Sequence, residues 1–366
     1  MEKESRKIGI FRMAFTFAGC FLGAGYVSGR ELWQYFGMFG AKGFAGILIS
    51  LFFLGMAVFF TIEAARLTGI VTFADLLVKT RRKTAKNIID GLNIFVLAGI
   101  AMVMIAGISS LFEQLFSISR AVSAGVSVLL IALAACAGLE GMVTVFSFAV
   151  PVLVVTALFV CGIRIADTGI AASVKLILSE QAVSGHVSFS LAGGFLFSAI
   201  NYACMNNLSS ISTMAPLSER LKSRGSMIKG ILLGCLFLFL IAAGILAAMN
   251  IDPESLSEEI PMAVIAGRIS GSASLFYACL MFLAMYGVSV SETVAILIFF
   301  KKKVPAYSGH RKLFNSLLFL LIHSGSMLGF SDLISIIYPV FGYIGMGILV
   351  LTFIRYLQAK NRPSAQ

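Results

Sequence analysis

The chain has 366 residues, of which 59% are hydrophobic and only 12% charged. A soluble domain is about a quarter charged, and the apolar runs here reach the roughly 20 residues a helical membrane span needs, without the short period-two alternation of a barrel strand. The net charge of +11 sits between the apolar runs, which excludes a nucleic-acid surface as its cause and marks a membrane edge.

The expected fold is an all-α polytopic membrane protein with about ten transmembrane helices. The polar start, Met1 to Lys7, leads into a stretch too long for a signal-peptide core and lacking a clear cleavage site, so it is expected to stay as an anchor. That first span, about 8–38, contains Gly19-Cys-Phe-Leu-Gly23-Ala24-Gly25-Tyr26-Val-Ser28-Gly29-Arg30-Glu31. Glycine costs about 1 kcal/mol against alanine inside a helix. Broken backbone inside a bilayer survives only where protein buries it or where it lines a cavity. Gly19/Gly23 and Gly25/Gly29 are also Gly-x-x-x-Gly pairs, which favour close helix packing. The density of glycine, the charge pair Arg30–Glu31 and the length of the segment point instead to two half-helices with a break between them.

Spans two to five are expected at about 41–65, 88–112, 121–139 and 142–164, with Glu140 in the turn between the last two. The long connection after span two holds an amphipathic stretch, Val71 to Val78, and then a basic run. Span six, about 187–214, contains Gly193-Gly194-Phe-Leu-Phe-Ser198-Ala-Ile-Asn201-Tyr202-Ala-Cys-Met-Asn206-Asn207-Leu-Ser209-Ser210. Asparagine in a span either joins helices as hydrogen-bonding glue or marks a second break facing the first. Two interrupted segments at corresponding places are a pointer to a midplane binding site.

Spans seven to ten follow at about 226–250, 271–299, 313–330 and 333–356. The connection after span seven is acidic, Asp252 to Glu259, and then amphipathic from Met262 to Ile269. Span eight carries Ser289, Ser291 and Glu292. An intramembrane acid is a candidate for a functional role, here in carrying a coupling proton or completing a cation site; a structural pairing is the alternative. His323 in span nine reads as packing.

With both termini on the cytoplasmic side, all but Arg30, Lys42, Arg120, Arg164, Lys175 and Arg268 of the 28 basic residues fall inside. This is the positive-inside pattern, and the clusters suit anionic lipid headgroups. Residues 8–164 and 187–356 hold five spans each. Five is odd, so the second half enters from the opposite face, as in an inverted repeat.

At such a break, free carbonyls suit an ammonium group or a cation, and the N–H groups near Val27 to Gly29 suit a carboxylate. The expected substrate site is Gly23, Ala24, Gly25, Tyr26, Ser28, Asn201, Tyr202 and Asn206. Arg30 and Glu31, with Glu113, are candidates for an outer gate, a solvated rim being the alternative. No phosphate-cradling loop, HExxH motif or nucleophilic triad spacing is present, and the six cysteines lack metal-site spacing. No enzyme activity is expected.

Gly-Ala-Gly-Tyr-Val-Ser-Gly-Arg-Glu-Leu-Trp-Gln-Tyr-Phe, 23–36, resembles the opening motif GAGFASGxE…FF of the YkvI-like amino-acid permeases, with Tyr26 and Val27 in place of Phe and Ala. Tyr202-x-x-x-Asn206 resembles that family's polar motif in the sixth helix. The resemblance implies the amino acid–polyamine–organocation superfamily and the leucine-transporter fold, five plus five inverted helices with the first and sixth broken. By position, a sodium site of that fold would fall on Gly19, Leu22, Ser289 and Ser291. The resulting expectation is a secondary transporter of amino acids or related small amines in the cell membrane, coupled to Na+ or H+ and using no other cofactor. A membrane nutrient receptor on the same scaffold is the alternative. The expected partners are the small-molecule substrate and membrane lipids, not nucleic acid; nothing in the sequence speaks to oligomeric state.

Overall fold

The computed structural model describes residues 8–70, 73–78, 83–136, 140–178 and 194–361. All of the regular elements among them are helical. The first apolar segment is divided in three: α1 (Ile10–Phe21), α2 (Ala24–Ser28) and α3 (Arg30–Tyr35). Then follow α4 (Ala41–Thr68), α5 (Phe73–Leu77), α6 (Lys83–Phe116), α7 (Arg120–Cys136), α8 (Glu140–Thr168) and α9 (Ile170–Leu178). The remainder is α10 (Gly194–Met214), α11 (Arg224–Ile251), α12 (Pro261–Gly267), α13 (Gly271–Lys303), α14 (Tyr307–Ser326) and α15 (Phe330–Lys360). Each of the ten expected spans therefore coincides with a helix or, in the first case, a broken one. Among the described residues, six helices are individually long and apolar enough to cross a membrane, within α4, α6, α8, α11, α13 and α15.

The break in the first segment falls at Leu22 and Gly23. Leu22 turns out of the helix at ψ 69°, and Gly23 is extended at φ −85°, ψ 171°. A second interruption comes at Gly29, whose φ of 82° is a left-handed conformation that costs side-chain-bearing residues energy and glycine none. The polar groups freed here are re-satisfied inside the protein. Tyr277 Oη donates to the Val27 carbonyl at 2.5 Å, and Ser28 Oγ donates to the Gly25 carbonyl at 2.6 Å.

The sixth segment differs from expectation. α10 runs unbroken from Gly194 to Met214, straight through Ser198 to Asn207, and tightens into a 3-10 turn at Ala215–Arg220. No break lies at the asparagines, because their side chains find partners without any unwinding of the helix. Asn206 Nδ2 bonds back to the Tyr202 carbonyl, and Asn201 Nδ2 reaches the Pro339 carbonyl on α15. Residues 187–193 lie outside the described residues.

α10 packs against α4 and α15; α1 packs against α11; α6 packs against α13; and α8 contacts both α11 and α13. The two short amphipathic helices cap opposite faces. On one face, Arg355 Nε donates to the Leu76 carbonyl of the α5 corner, Lys86 pairs with Asp75, and Lys303 pairs with Asp90 at 3.3 Å. The start of α1 is tied there by Ile8 N–H to the Arg220 carbonyl at 2.7 Å. This is the basic face. α12 lies at the other.

The α10–α15 seam is close because Gly345 has no side chain. A Cβ there would collide with the Cys204 carbonyl, which is backbone and cannot swing aside. Gly345→Ala should therefore destabilise the protein by about 1–3 kcal/mol, the usual cost of overpacking. Gly347→Ala, two residues further along α15 with nothing within 4 Å of its Cβ, should be neutral or slightly stabilising. Thermal unfolding in detergent, followed by loss of the monodisperse species, distinguishes the two.

Candidate functional site

A cavity of 170 Å³ lies at the break in the first segment, between α1, α6, α10, α13 and α15. Gly23, Gly25, Glu31, Asn206 and Glu292 line it together with Tyr338 and a largely apolar wall. Among these polar groups, Glu31 is held by an aromatic hydroxyl. It stands in the first turn of α3, is buried, and accepts a 2.6 Å hydrogen bond at Oε1 from Tyr202 Oη of α10. Its other oxygen lies over Gly25, where a Cβ would collide with it. The glycine of the motif thus makes room for the carboxylate.

Tyr202 is itself held in an aromatic group, edge-on to Tyr35 and Phe36, with ring centroids 5.0 Å apart in each case. Tyr35 Oη donates to Asn201 Oδ1 at 3.3 Å, and Ser198 Oγ donates to the Tyr35 carbonyl at 2.7 Å. Asn201 completes the link to α15 at Pro339. Pro339 has no N–H to give its own helix, so this region of α15 takes its shape from neighbours, and Tyr338 beside it faces the cavity.

The expected substrate residues divide into two groups. Gly23, Gly25 and Asn206 line the cavity, and Tyr202 reaches it through Glu31. Ala24, Tyr26, Ser28 and Asn201 are buried in the surrounding packing; Tyr26 Oη is turned to the Leu238 carbonyl on α11. Of the expected cation set, only Glu292 is among the residues lining the cavity. Leu22 stands at the break and the Ser289 hydroxyl bonds to its own helix at Met285, whereas Gly19 and Ser291 are exposed.

Arg30 and Glu31 point apart. Glu31 enters the cavity, while Arg30 Nη1 donates to the Leu256 carbonyl at 3.1 Å on the face away from the basic one. That face is closed by a polar network. Arg120 pairs with Glu113 and lies 3.4 Å from Glu259 Oε1. Glu259 Oε2 accepts from Ser331 N–H at 2.8 Å and Ser331 Oγ at 2.6 Å, at the start of α15. Gln114 brackets the Ile260 backbone, accepting from its N–H and donating to its carbonyl. Arg268 hydrogen-bonds Asp252, and this together with the nearby charge holds its guanidinium above its ordinary pKa. Toward the basic face the cavity is less covered: Cys20, Gly23, Asn206 and Glu292 are only half-buried.

Sequence reasoning missed the α6 wall, Val96, Ile100 and Met104, and the α15 pair Tyr338 and Phe341. The apolar three carry no signal distinguishing them from core. A tyrosine beside a proline within an apolar span was a legible signal for Tyr338.

No family model matches the chain. It is 27% identical to the uncharacterized membrane protein YkvI of Bacillus subtilis (strain 168), over 98% of each chain. It is 25% identical to the uncharacterized protein YyaD of the same organism, over 93% of this chain and 95% of that one. Among solved structures, the inward-facing conformation of Mhp1 matches with a TM-score of 0.60 at 13% identity, covering 98% of this chain and 78% of that one. At that identity the likeness concerns the fold. Fold and relatives together define an all-α polytopic membrane protein.

Glu259→Ala should free the 252–260 loop from both Arg120 and α15. A charge-assisted hydrogen bond is worth about 1.5–3 kcal/mol, so hydrogen exchange across 252–260 should quicken by about tenfold or more, with exchange in α6 and α13 unchanged. Unaltered exchange in the loop would mean that the network does not close this face.

Proposed function

We propose that the chain is a secondary transporter of amino acids or related small amines, working by alternating access, and not an enzyme. One observation carries the reading. A cavity at the interrupted first segment holds Glu31, Asn206 and Glu292, is closed on one face by the Arg120–Glu259 network, and is half-covered toward the other. A central site with unequal cover on its two faces is what alternating access requires.

The packing supports an inverted repeat of residues 8–164 and 187–356. Exchanging the halves turns the α1–α11 contact into α10–α4, α8–α13 into α15–α6, and α4–α15 into α11–α8. The α4–α11, α6–α13 and α7–α14 contacts map onto themselves. The α5 and α12 helices correspond as well. Among the described residues, no α1–α8 contact matches the one between α10 and α15. In this reading the basic face is cytoplasmic, with both termini on it, in the cell membrane. The half-covered cavity then faces inward, in agreement with the conformation of the Mhp1 structure it matches. The coupling ion is H+ or Na+.

Proteoliposomes holding the purified chain should accumulate or exchange at least one member of an amino-acid and amine panel under an imposed sodium or proton gradient. Glu31→Gln and Gly25→Ala should each reduce that uptake by about tenfold or more, while the protein remains monodisperse. A compound that binds the solubilised protein but never crosses the bilayer under any gradient would replace transport by sensing.

A further inference from the structure

Among the described residues lining the cavity, Glu31 and Glu292 are the charged ones, and neither has a basic side chain opposite it there. Arg30, the nearest basic residue in sequence, is turned to Leu256. The titratable groups around Glu31 are Tyr26 and Tyr35 on its own segment, Tyr202 on α10 and Tyr338 on α15. Across the cavity α13 presents Glu292, and α6 presents only Val96, Ile100 and Met104. Two carboxylates in a cavity within the membrane-spanning bundle call for positive charge, as a proton or as a bound cation.

The remaining walls narrow the choice of cation. Tyr338 and Phe341 stand one turn apart on α15, their rings stacked with centroids 6.3 Å apart, and both line the cavity. Aromatic faces attract organic ammonium ions. A volume of 170 Å³ matches about six water molecules at roughly 30 Å³ each, enough for a small aliphatic body. No basic side chain in the described lining is placed to receive a substrate carboxylate.

We infer that the cavity takes a small organic ammonium ion, and that Glu31 gives up its proton as the ammonium docks. The O–H bond of the Glu31 carboxyl breaks, the proton leaves to water along the half-covered side by Asn206 and Glu292, and the carboxylate pairs with the R–NH3+ group. Charge balances, since one cation enters and one leaves. This rests on the transport reading above and names its substrate class and its coupling ion. Glu31 is then both binding residue and proton carrier, with Tyr202 holding it in either state.

The test is calorimetric titration of the full chain in detergent with ethylammonium and 1,4-diaminobutane, with L-alanine as the zwitterionic comparison, across pH. The alkylammonium probes should bind at least about tenfold tighter than L-alanine. Release of one proton should strengthen their binding by about tenfold per pH unit on the acid side, and a pH indicator in weak buffer should register that proton. Glu31→Gln should abolish both the slope and the proton release. If Glu31→Gln does not fold, proton release by the unaltered chain decides. Binding without proton release, a slope that survives Glu31→Gln, or the absence of binding by either amine overturns the inference. Uptake of L-alanine into proteoliposomes with pH-independent binding would overturn it and leave the transport reading standing. Amine binding with proton release but no movement across the bilayer would overturn transport alone.

Discussion

A carboxylate inside a membrane-spanning bundle has to be met by polar groups, and Glu31 is met by a tyrosine 171 residues away in sequence. That single contact ties the two halves of the chain together at the point where the first segment is broken. It depends on several others. Gly25 must lack a side chain so that the carboxylate can lie over the backbone. Tyr202 must be presented by an intact helix, and α10 must lie close against α15, as Gly345 and the Asn201–Pro339 bond permit. Buried polar networks are worth keeping only when every member has a partner, and this one extends through Tyr35 and Ser198 with partners at each step.

The two faces of the bundle are built from different chemistry. On one, the acidic loop 252–260 is drawn onto α3, α6, α7 and α15 by Arg30, Gln114, Arg120 and Ser331. On the other, basic residues predominate, and the pairs they make, such as Lys303 with Asp90, lie beside helix ends and not across the cavity. The closure by the acidic loop is made of several separate hydrogen bonds and ion pairs at a partly exposed rim, where solvent weakens each ion pair. The buried network around Glu31 is of the opposite kind, with partners fixed in packed helices.

The number and placement of the helices were legible in the chain because a bilayer leaves few choices. Spans must be long, apolar and helical, and basic residues gather on one side. The break at Leu22–Gly23 was legible for the same reason: glycine at that density does not hold a continuous helix. The asparagines of α10 misled, since a polar cluster in a span has two physical solutions, an unwound backbone or side-chain bonds to neighbours. Which one holds is decided by what lies opposite, and here Tyr35 and Pro339 lie opposite Asn201. Arg30 and Glu31 misled in the same way, because adjacent residues at a left-handed Gly29 turn leave in different directions.

Sequence alone thus determined the class of protein, its helices and the location of the first break, since these follow from local composition and the solvent that lipid provides. The tertiary structure alone decided which polar residues share a cavity. Glu31, Tyr202, Asn206, Glu292 and Tyr338 come from four separate helical segments of the chain. Their meeting is a matter of helix rotation and close approach, and no periodicity within one segment records which face another segment will cover.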